Sequence, residues 1–121
     1  MSAAGGAPRA AGEENDPQRP DWGVREFQRR IEAVYGERDA ARGVPSTFTW
    51  FVEEVGELAR SLLSGEPGSD AEAREFADVL AWLATLASLR GVDLATAARE
   101  KYAAGCPRCG ATPCRCSHRE G

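Results

Sequence analysis

The sequence contains no long run of apolar residues. A secretory signal needs a continuous apolar segment, and a membrane-spanning helix needs about 20 apolar residues; neither occurs here. Clustered basic residues are also missing: Lys101 is the sole lysine, and the formal net charge is −4. Because nucleic-acid binders normally present grouped lysine and arginine, nucleic acid is not favoured as a partner. The sequence therefore predicts a cytoplasmic protein without a membrane partner.

Signals for β-strands are nearly absent, whereas signals for helix starts and stops recur along the chain. They predict four helices separated by short breaks, with a polar connection at residues 36–45. The predicted bounds run from an Asp21 cap to Gly36, from a Ser46 or Thr47 cap to Ser64, from a Ser69 cap to Arg90, and from an Asp93 cap to Ala104. This pattern is typical of an all-α, four-helix bundle.

Composition divides the chain into three parts. Residues 1–20 are rich in Ala, Gly, Pro and charge, which predicts a disordered leader. Residues 21–104 form the predicted helical domain, and residues 105–121 form a Cys-rich tail. A helical domain this small buries a limited fraction of its surface, so we expect it to be completed by oligomerisation. Homodimer and homotetramer both remain open.

Two acidic phrases lie within apolar runs. They read Glu53-Glu54-Val55-Gly56-Glu57 and Glu75-Phe76-Ala77-Asp78, and each places two carboxylates three residues apart on one helical face. The apolar stripes that we predict to face the core share helical spacing. They are Phe51, Val55, Leu58 and Leu62 in the second helix, and Phe76, Val79, Leu83 and Leu86 in the third.

The helical wheel separates the acidic side chains. Glu54 and Glu57 form a pair near the margin of the apolar stripe, whereas Glu53 points almost the opposite way. Glu75 and Asp78 flank the stripe of the next helix. Antiparallel packing of consecutive helices would bring the two pairs together, where they repel each other unless a cation lies between them. Oxygen ligands favour Mg²⁺, with Mn²⁺ as a substitute, although either phrase alone is more often a solvated face.

Two tryptophans bracket these carboxylates. Trp50 lies one turn before Glu54, and Trp82 lies one turn after Asp78, on the same flank of their helices. Flat rings beside a metal site suit a nucleotide base that stacks next to a metal-bound phosphate chain. A role as ordinary core residues is the alternative for both.

The pattern Glu54-x-x-Glu57, followed after residues 58–74 by Glu75-x-x-Asp78, resembles that of the MazG-like, all-α nucleoside triphosphate pyrophosphohydrolases. The surrounding text, FTWFVEEVGELARSL and EFADVLAWLATLASLRGVDLATAAREKY, is similar as well. The likeness spans roughly residues 22–104. It implies a four-helix MazG-like fold in which these four carboxylates hold Mg²⁺ and serve catalysis.

The resemblance also implies an activity. A nucleoside triphosphate would be hydrolysed between the α- and β-phosphates, giving the monophosphate and pyrophosphate, with the general base unassigned. Lys101 matches a position where the family carries a basic residue for phosphate, and a solvated role is favoured for Arg60, Arg74 and Arg99. The related phosphoribosyl-ATP pyrophosphatases are disfavoured, because Trp50-Phe51-Val52 precedes Glu53 and Leu80-Ala81-Trp82 follows Asp78.

The tail carries four cysteines within the segment GCPRCGATPCRCSH. Thiols this close in a cytoplasmic chain indicate metal rather than disulfides. We predict a structural zinc knuckle with tetrahedral Zn²⁺, against free or redox-active thiols as the alternative. The short Cys-x-Cys spacing of the second pair makes His118 an alternative ligand. The predicted ligands are Cys106, Cys109, Cys114 and Cys116.

A rival hypothesis gives the function to the tail. The chain would then be a non-enzymatic helical module that docks a protein or nucleic acid through its zinc knuckle, with Arg108, Arg115 and Arg119 around the cysteines. Deletion of residues 105–121 separates the two hypotheses. An enzyme that still folds keeps its chemistry, whereas a docking module loses its partner.

Overall fold

The structure is a computed structural model that describes residues 21–117. Over that range the chain contains four helices and no strand, which confirms the all-α prediction. The predicted leader and the alternative zinc ligand His118 lie outside the described residues. The helices are α1 (Val24–Arg42), α2 (Val44–Ser64), α3 (Asp70–Leu89) and α4 (Leu94–Tyr102).

The junction between α1 and α2 differs from the prediction. Helix α1 continues past Gly36, so most of the predicted polar connection is helical. An interior glycine costs a helix about 1 kcal/mol, which is offset by the burial of Ile31 and by the hydrogen bonds that Asp39 accepts from Arg42 and Thr85. The break is a single residue, Gly43, whose φ of 78° favours glycine. Pro45 lies in the first turn of α2, where its missing N–H costs nothing.

Of the four predicted helix caps, those of α1 and α2 are wrong and those of α3 and α4 are confirmed. Gly23 rather than Asp21 precedes α1, and Gly43 rather than Ser46 or Thr47 precedes α2. Ser69 accepts a hydrogen bond from the Glu72 amide at 3.2 Å, and Asp93 accepts one from the Thr96 amide at 3.0 Å. The confirmed caps carry side-chain oxygens at the start of α3 and α4, where the first-turn amides lack helical partners. The cap of α2 is displaced because the longer α1 leaves only Gly43 between the two helices.

Helix α3 lies at the centre of the fold, packed against both α2 and α1, and α4 packs against α1. The buried cluster of Ile31, Ala81 and Ala84 joins α1 to α3. Gln28, buried on α1, donates to the Val92 carbonyl at 2.8 Å and accepts from the Leu94 amide at 2.9 Å. These bonds tie α1 to the connection between α3 and α4, so a side chain of α1 fixes the position where α4 begins.

The predicted apolar stripes are only partly the buried faces of α2 and α3. Four of their eight residues are half-buried: Phe51, Leu58, Val79 and Leu86. Val55 and Leu62 are 41% and 54% exposed, and Phe76 and Leu83 are 51% and 40% exposed. The face of α2 that is at least half-buried is mixed in polarity and consists of Val44, Thr47, Phe51, Glu54, Leu58 and Ser61. The wheel identifies the most apolar side of a helix, but α2 and α3 meet along a side that includes carboxylates. The two helices therefore leave apolar side chains uncovered in the single chain.

Among residues 21–117, no single helix is long and apolar enough to cross a membrane. Helices α3 and α4 satisfy that test only when taken together, and they are bent by 97° at their junction.

Candidate active site

The first acidic phrase and the start of the second meet where α2 packs against α3. One carboxylate oxygen from each of Glu54, Glu57 and Glu75 lies within 4.8 Å of the other two. We refer to these three residues as the acidic cluster. Its members come from two helices joined by the break at residues 65–69, so the packing of α2 against α3 creates the cluster.

Two oxygens of the acidic cluster are buried without any partner. Oε2 of Glu54 and Oε2 of Glu75 have no hydrogen-bond donor within the described part of the chain. Burial raises the pKa of both carboxyl groups, and the charges of Glu57 and Asp78 add to that effect. Neither ion pair among the described residues, Arg25–Asp93 or Arg42–Asp39, involves these carboxylates. The cluster is thus negative, partly desolvated and short of donors, which is the environment that a bound cation would stabilise.

Asp78 and Glu53 occupy different positions relative to this cluster. Asp78 is half-buried one turn after Glu75, and burial raises its pKa, with the charge of Glu57 adding to the effect. Its oxygens are not part of the group that converges within 4.8 Å, although its charge is felt by Glu54 and Glu75. Glu53 is exposed on α2. The assignment of Glu54, Glu57, Glu75 and Asp78 as Mg²⁺ ligands stays a prediction.

Trp82 is packed into the protein rather than presented to solvent. It is only 5% exposed, and the guanidinium carbon of Arg42 lies 4.8 Å from its ring centroid. Trp50 stacks on it with ring centroids 6.3 Å apart and planes inclined by 13°. A base platform at Trp82 is therefore covered within one chain. Only Trp50, which is 46% exposed, offers ring surface to a ligand there.

Lys101, the predicted phosphate contact, is exposed near the end of α4. Its amino group lies 5.6 Å from the ring centroid of Tyr102, the next residue. Helix α4 packs against α1, whereas the acidic cluster lies between α2 and α3. This packing of α4 does not place Lys101 beside the acidic cluster. Its role in binding phosphate stays a prediction.

A buried polar group beside Trp82 was not found from the sequence. Asp39 is 5% exposed and accepts hydrogen bonds from Arg42 at 2.9 Å and from the Thr85 hydroxyl at 3.1 Å. Thr47 is fully buried, and its hydroxyl lies 3.4 Å from Arg42 and donates to the Gly43 carbonyl. The group ties α1 to α2 and α3. The sequence signal for this group is the spacing of three residues between Asp39 and Arg42, which places them on one face of a helix. It was missed because residues 36–45 were predicted to be a polar connection rather than helix.

The four cysteines form a second group, which we call the cysteine cluster: Cys106, Cys109, Cys114 and Cys116. Their sulfurs lie within 4.8 Å of one another. Backbone N–H groups of Cys109 and Arg108 lower the pKa of the Cys106 thiol to about 6. The Arg115 amide likewise lowers the pKa of Cys109, whereas the contact with Cys114 raises the pKa of Cys116. The structure thus brings together all four predicted cysteines.

A cavity of about 710 Å³ adjoins the cysteine cluster rather than the acidic cluster. Its lining includes Tyr102 from the end of α4, together with Pro107, Arg108 and Pro113 from the tail. The acidic cluster lies instead at the contact between two helices. The location of this cavity therefore does not decide whether the protein is an enzyme or a docking module.

The fold and the acidic cluster together define an all-helical domain with converging carboxylates on two consecutive helices. The chain matches the family model described as the MazG nucleotide pyrophosphohydrolase domain over residues 42–109, which is more than half of its length. The chain belongs to this family, which confirms the resemblance seen in the sequence. The matched range covers α2, α3, α4 and the first two cysteines, and it leaves most of α1 outside. No curated protein matches the chain.

Proposed function

We propose that this protein is a Mg²⁺-dependent hydrolase that converts a nucleoside triphosphate to the monophosphate and pyrophosphate. Membership of the MazG family supports nucleotide pyrophosphohydrolase activity in general. The observation that carries the proposal for this chain is the acidic cluster, with two buried, unpartnered oxygens at the contact between α2 and α3. The expected biological role is the removal of unwanted nucleotides from the pool.

The donor set fits a hard divalent cation. Glu54, Glu57 and Glu75 offer only oxygen atoms, and Asp78 on the same face of α3 would supply a further carboxylate. Such ligands select Mg²⁺, with Mn²⁺ as a substitute, over softer metals. The cysteines stay outside the reaction, because thiolates are poor ligands for Mg²⁺.

When bound, Mg²⁺ would neutralise phosphate charge and polarise the phosphorus that water attacks. The carboxylates of the acidic cluster would hold the cation, and a carboxylate not committed to it would accept the proton of the attacking water. The exposed ring of Trp50 would stack with the base, held in place by Trp82 and Arg42 behind it.

The proposal is tested by measuring pyrophosphate release from canonical, deoxy and modified nucleoside triphosphates with Mg²⁺, with Mn²⁺ and with neither. Glu54→Gln and Glu75→Gln keep the side-chain shape but remove a ligand charge. We expect each to lower metal-dependent turnover by at least about 100-fold. Metal titration of the same variants, followed by calorimetry, should show weaker Mg²⁺ binding.

The chain offers a matched control in Glu53→Gln. Glu53 is an exposed carboxylate directly beside Glu54 on α2, so its neutralisation changes net charge equally without touching the cluster. This variant should keep at least half of the wild-type rate. An equal loss in Glu53→Gln and Glu54→Gln, or pyrophosphate release that needs no divalent cation, would refute the assigned site.

The uncovered apolar side chains support self-association, as a homodimer or homotetramer. Phe76, Leu80 and Leu83 form an exposed stripe on α3, and α2 exposes Val52 and Val55. Sedimentation of the wild type should give a species larger than 13.0 kDa. Leu80→Glu should shift it toward the monomer, while Ala33→Glu on α1 should not. A wild type that sediments as a monomer contradicts this part of the proposal.

The alternative, a docking module that acts through its tail, stays a prediction. The cavity beside the cysteine cluster is the feature that would serve it. Family membership favours the enzyme, because the match covers α2 and α3 with both acidic phrases.

A further inference from the structure

The cysteine cluster has the dimensions of a tetrahedral metal site. The sulfurs of Cys106 and Cys116 are 3.8 Å apart, and those of Cys109 and Cys114 are 4.0 Å apart. Four sulfurs at about 2.3 Å from a tetrahedral zinc ion lie about 3.8 Å from one another. A disulfide would place two sulfurs about 2.05 Å apart. The observed spacing therefore matches the edges of a zinc tetrahedron and excludes disulfide pairing in this conformation.

The backbone around the sulfurs is arranged to donate to them. The Arg115 amide donates to the Cys109 sulfur, and the Cys116 amide donates to the Cys114 sulfur, both at 3.4 Å. Amide donors stabilise thiolates, the form that binds metal, more than they stabilise neutral thiols. The bonds come from within the tail, so the site is built locally.

A tight turn holds the two cysteine pairs opposite each other. Gly105 has a φ of 105°, and a Cβ there would lie 2.7 Å from the Thr112 hydroxyl oxygen. The Cys106 amide donates to the Ala111 carbonyl at 3.0 Å, and the Gly110 amide donates to the Cys106 carbonyl at 2.7 Å. These contacts fold the segment back on itself directly after α4.

Apolar burial does not explain this fold. None of residues 105–117 is buried; each is half-buried or exposed. A segment of this length without a core cannot offset its own conformational entropy, and small domains of this kind are commonly stabilised by a metal. The compact turn and the four converging sulfurs thus share one explanation.

We propose that Cys106, Cys109, Cys114 and Cys116 bind one structural Zn²⁺ ion that folds residues 105–117 onto the end of α4. Four cysteine ligands complete the coordination of zinc and leave no position for substrate or water, so the site takes no part in catalysis. The site is separate from the acidic cluster, and the proposal does not depend on the proposed hydrolase activity.

Metal analysis of the full-length protein, purified without chelator, tests the proposal directly. We expect one zinc per chain by plasma mass spectrometry and four thiols that react with a thiol reagent only after zinc is removed. Replacement by Co²⁺ should give the intense charge-transfer and visible bands of tetrahedral thiolate coordination. Purified protein with four free thiols and no metal, with disulfides, or with iron in place of zinc would each overturn it.

Single substitutions identify the ligands. Cys109→Ser and Cys114→Ser should each weaken zinc binding by at least about 100-fold in competition with a colorimetric chelator. Ser117→Ala and His118→Ala serve as controls and should leave the zinc content at one per chain. Loss of zinc in His118→Ala would contradict the four-cysteine assignment.

Proteolysis separates loss of zinc from loss of the whole fold. Trypsin should cleave after Arg108 and Arg115 within minutes once zinc is chelated, and at least about 10-fold more slowly in the zinc form. Circular dichroism should change little on chelation, because α1 to α3 are packed on one another without the tail. Equal cleavage with and without zinc would overturn the claim that the metal folds this segment.

Discussion

The acidic cluster and the cysteine cluster are both groups of converging ligand atoms, but they are assembled in opposite ways. The acidic cluster joins Glu54 and Glu57 to Glu75 across two long helices. The cysteine cluster lies within residues 106–116 and is shaped by a turn of the backbone. One therefore depends on tertiary packing, whereas the other depends on local backbone geometry.

This difference extends to energetics. One oxygen each of Glu54 and Glu75 is buried without a partner among the described residues, so the acidic cluster opposes folding in the absence of a cation. The sulfurs of the cysteine cluster instead receive backbone N–H donors at 3.4 Å. A bound cation would therefore relieve repulsion in the acidic cluster, whereas a bound metal would hold together thiolates that the backbone already stabilises in the cysteine cluster.

The largest expected effects are a loss of turnover in a variant of the acidic cluster and a loss of zinc in a variant of the cysteine cluster, each without the other. Glu75→Gln should abolish metal-dependent pyrophosphate release, with a loss of at least about 100-fold, and keep one zinc per chain. Cys114→Ser should lose zinc and keep a rate within about threefold of wild type, because the acidic cluster is held by α2 and α3. Turnover and zinc content measured on both variants check this. A comparable loss of turnover in Cys114→Ser would show that the two regions are coupled.

The second effect concerns the buried polar group that ties α1 to α2 and α3. Asp39→Ala leaves Arg42 and Thr85 without their acceptor in a site that is largely buried, which should lower the free energy of unfolding by about 3 kcal/mol. Urea unfolding measures it. Zinc affinity should stay constant, since the cysteine cluster is built within the tail. The exposed Glu37→Ala on α1 is the control. An Asp39→Ala variant as stable as this control would contradict the role of the buried group.

A smaller effect, of opposite sign, is expected from Glu54→Gln. Removing one of the crowded, partly buried charges should raise the melting temperature of the metal-free protein. Added Mg²⁺ should raise the melting temperature of the wild type more than that of the variant, because the wild type binds Mg²⁺ more tightly. Thermal melts with and without Mg²⁺ test this, with Glu53→Gln as the matched control. A metal-free Glu54→Gln protein that melts below wild type would mean that the charge is compensated in another way.

The smallest effect is expected at the start of α4, the helix from which the tail continues. Hydrogen bonds from Arg25 and Thr96 hold the pKa of Asp93 well below its ordinary value of 3.8. A lowered pKa in the folded state gives stabilisation that is present above pH 3.8 and is lost as the pH falls below that value. Asp93→Asn should therefore lower the melting temperature slightly at pH 7 and have less effect near pH 3.

Arg25→Gln separates the two parts of that effect, since it removes the ion pair to Asp93 at 2.8 Å but keeps the cap on the Thr96 amide. Thermal melts of both variants across pH should show the smaller loss for Arg25→Gln. A loss for Asp93→Asn that is the same at pH 3 and pH 7 would contradict the assigned cause.

The sequence by itself determined the features that arise within a few residues. Helical periodicity and the caps at Ser69 and Asp93 predicted α3 and α4, and the acidic phrases indicated the family that the match over residues 42–109 confirmed. The closeness of the four cysteines was also predictable, because a short segment keeps its members near one another in space.

Only the tertiary structure decided which helix faces are buried and where the long-range polar contacts lie. The wheel predicted that Val55 and Phe76 face the core, yet both are exposed, and Glu54 lies on the packed face of α2 instead. The pairing of Asp39 with Arg42 and Thr85 required α1 to continue past Gly36 and reach α3. Periodicity describes one helix at a time, whereas burial depends on which sides of two helices meet. That choice is made by the packing of α2 and α1 against α3.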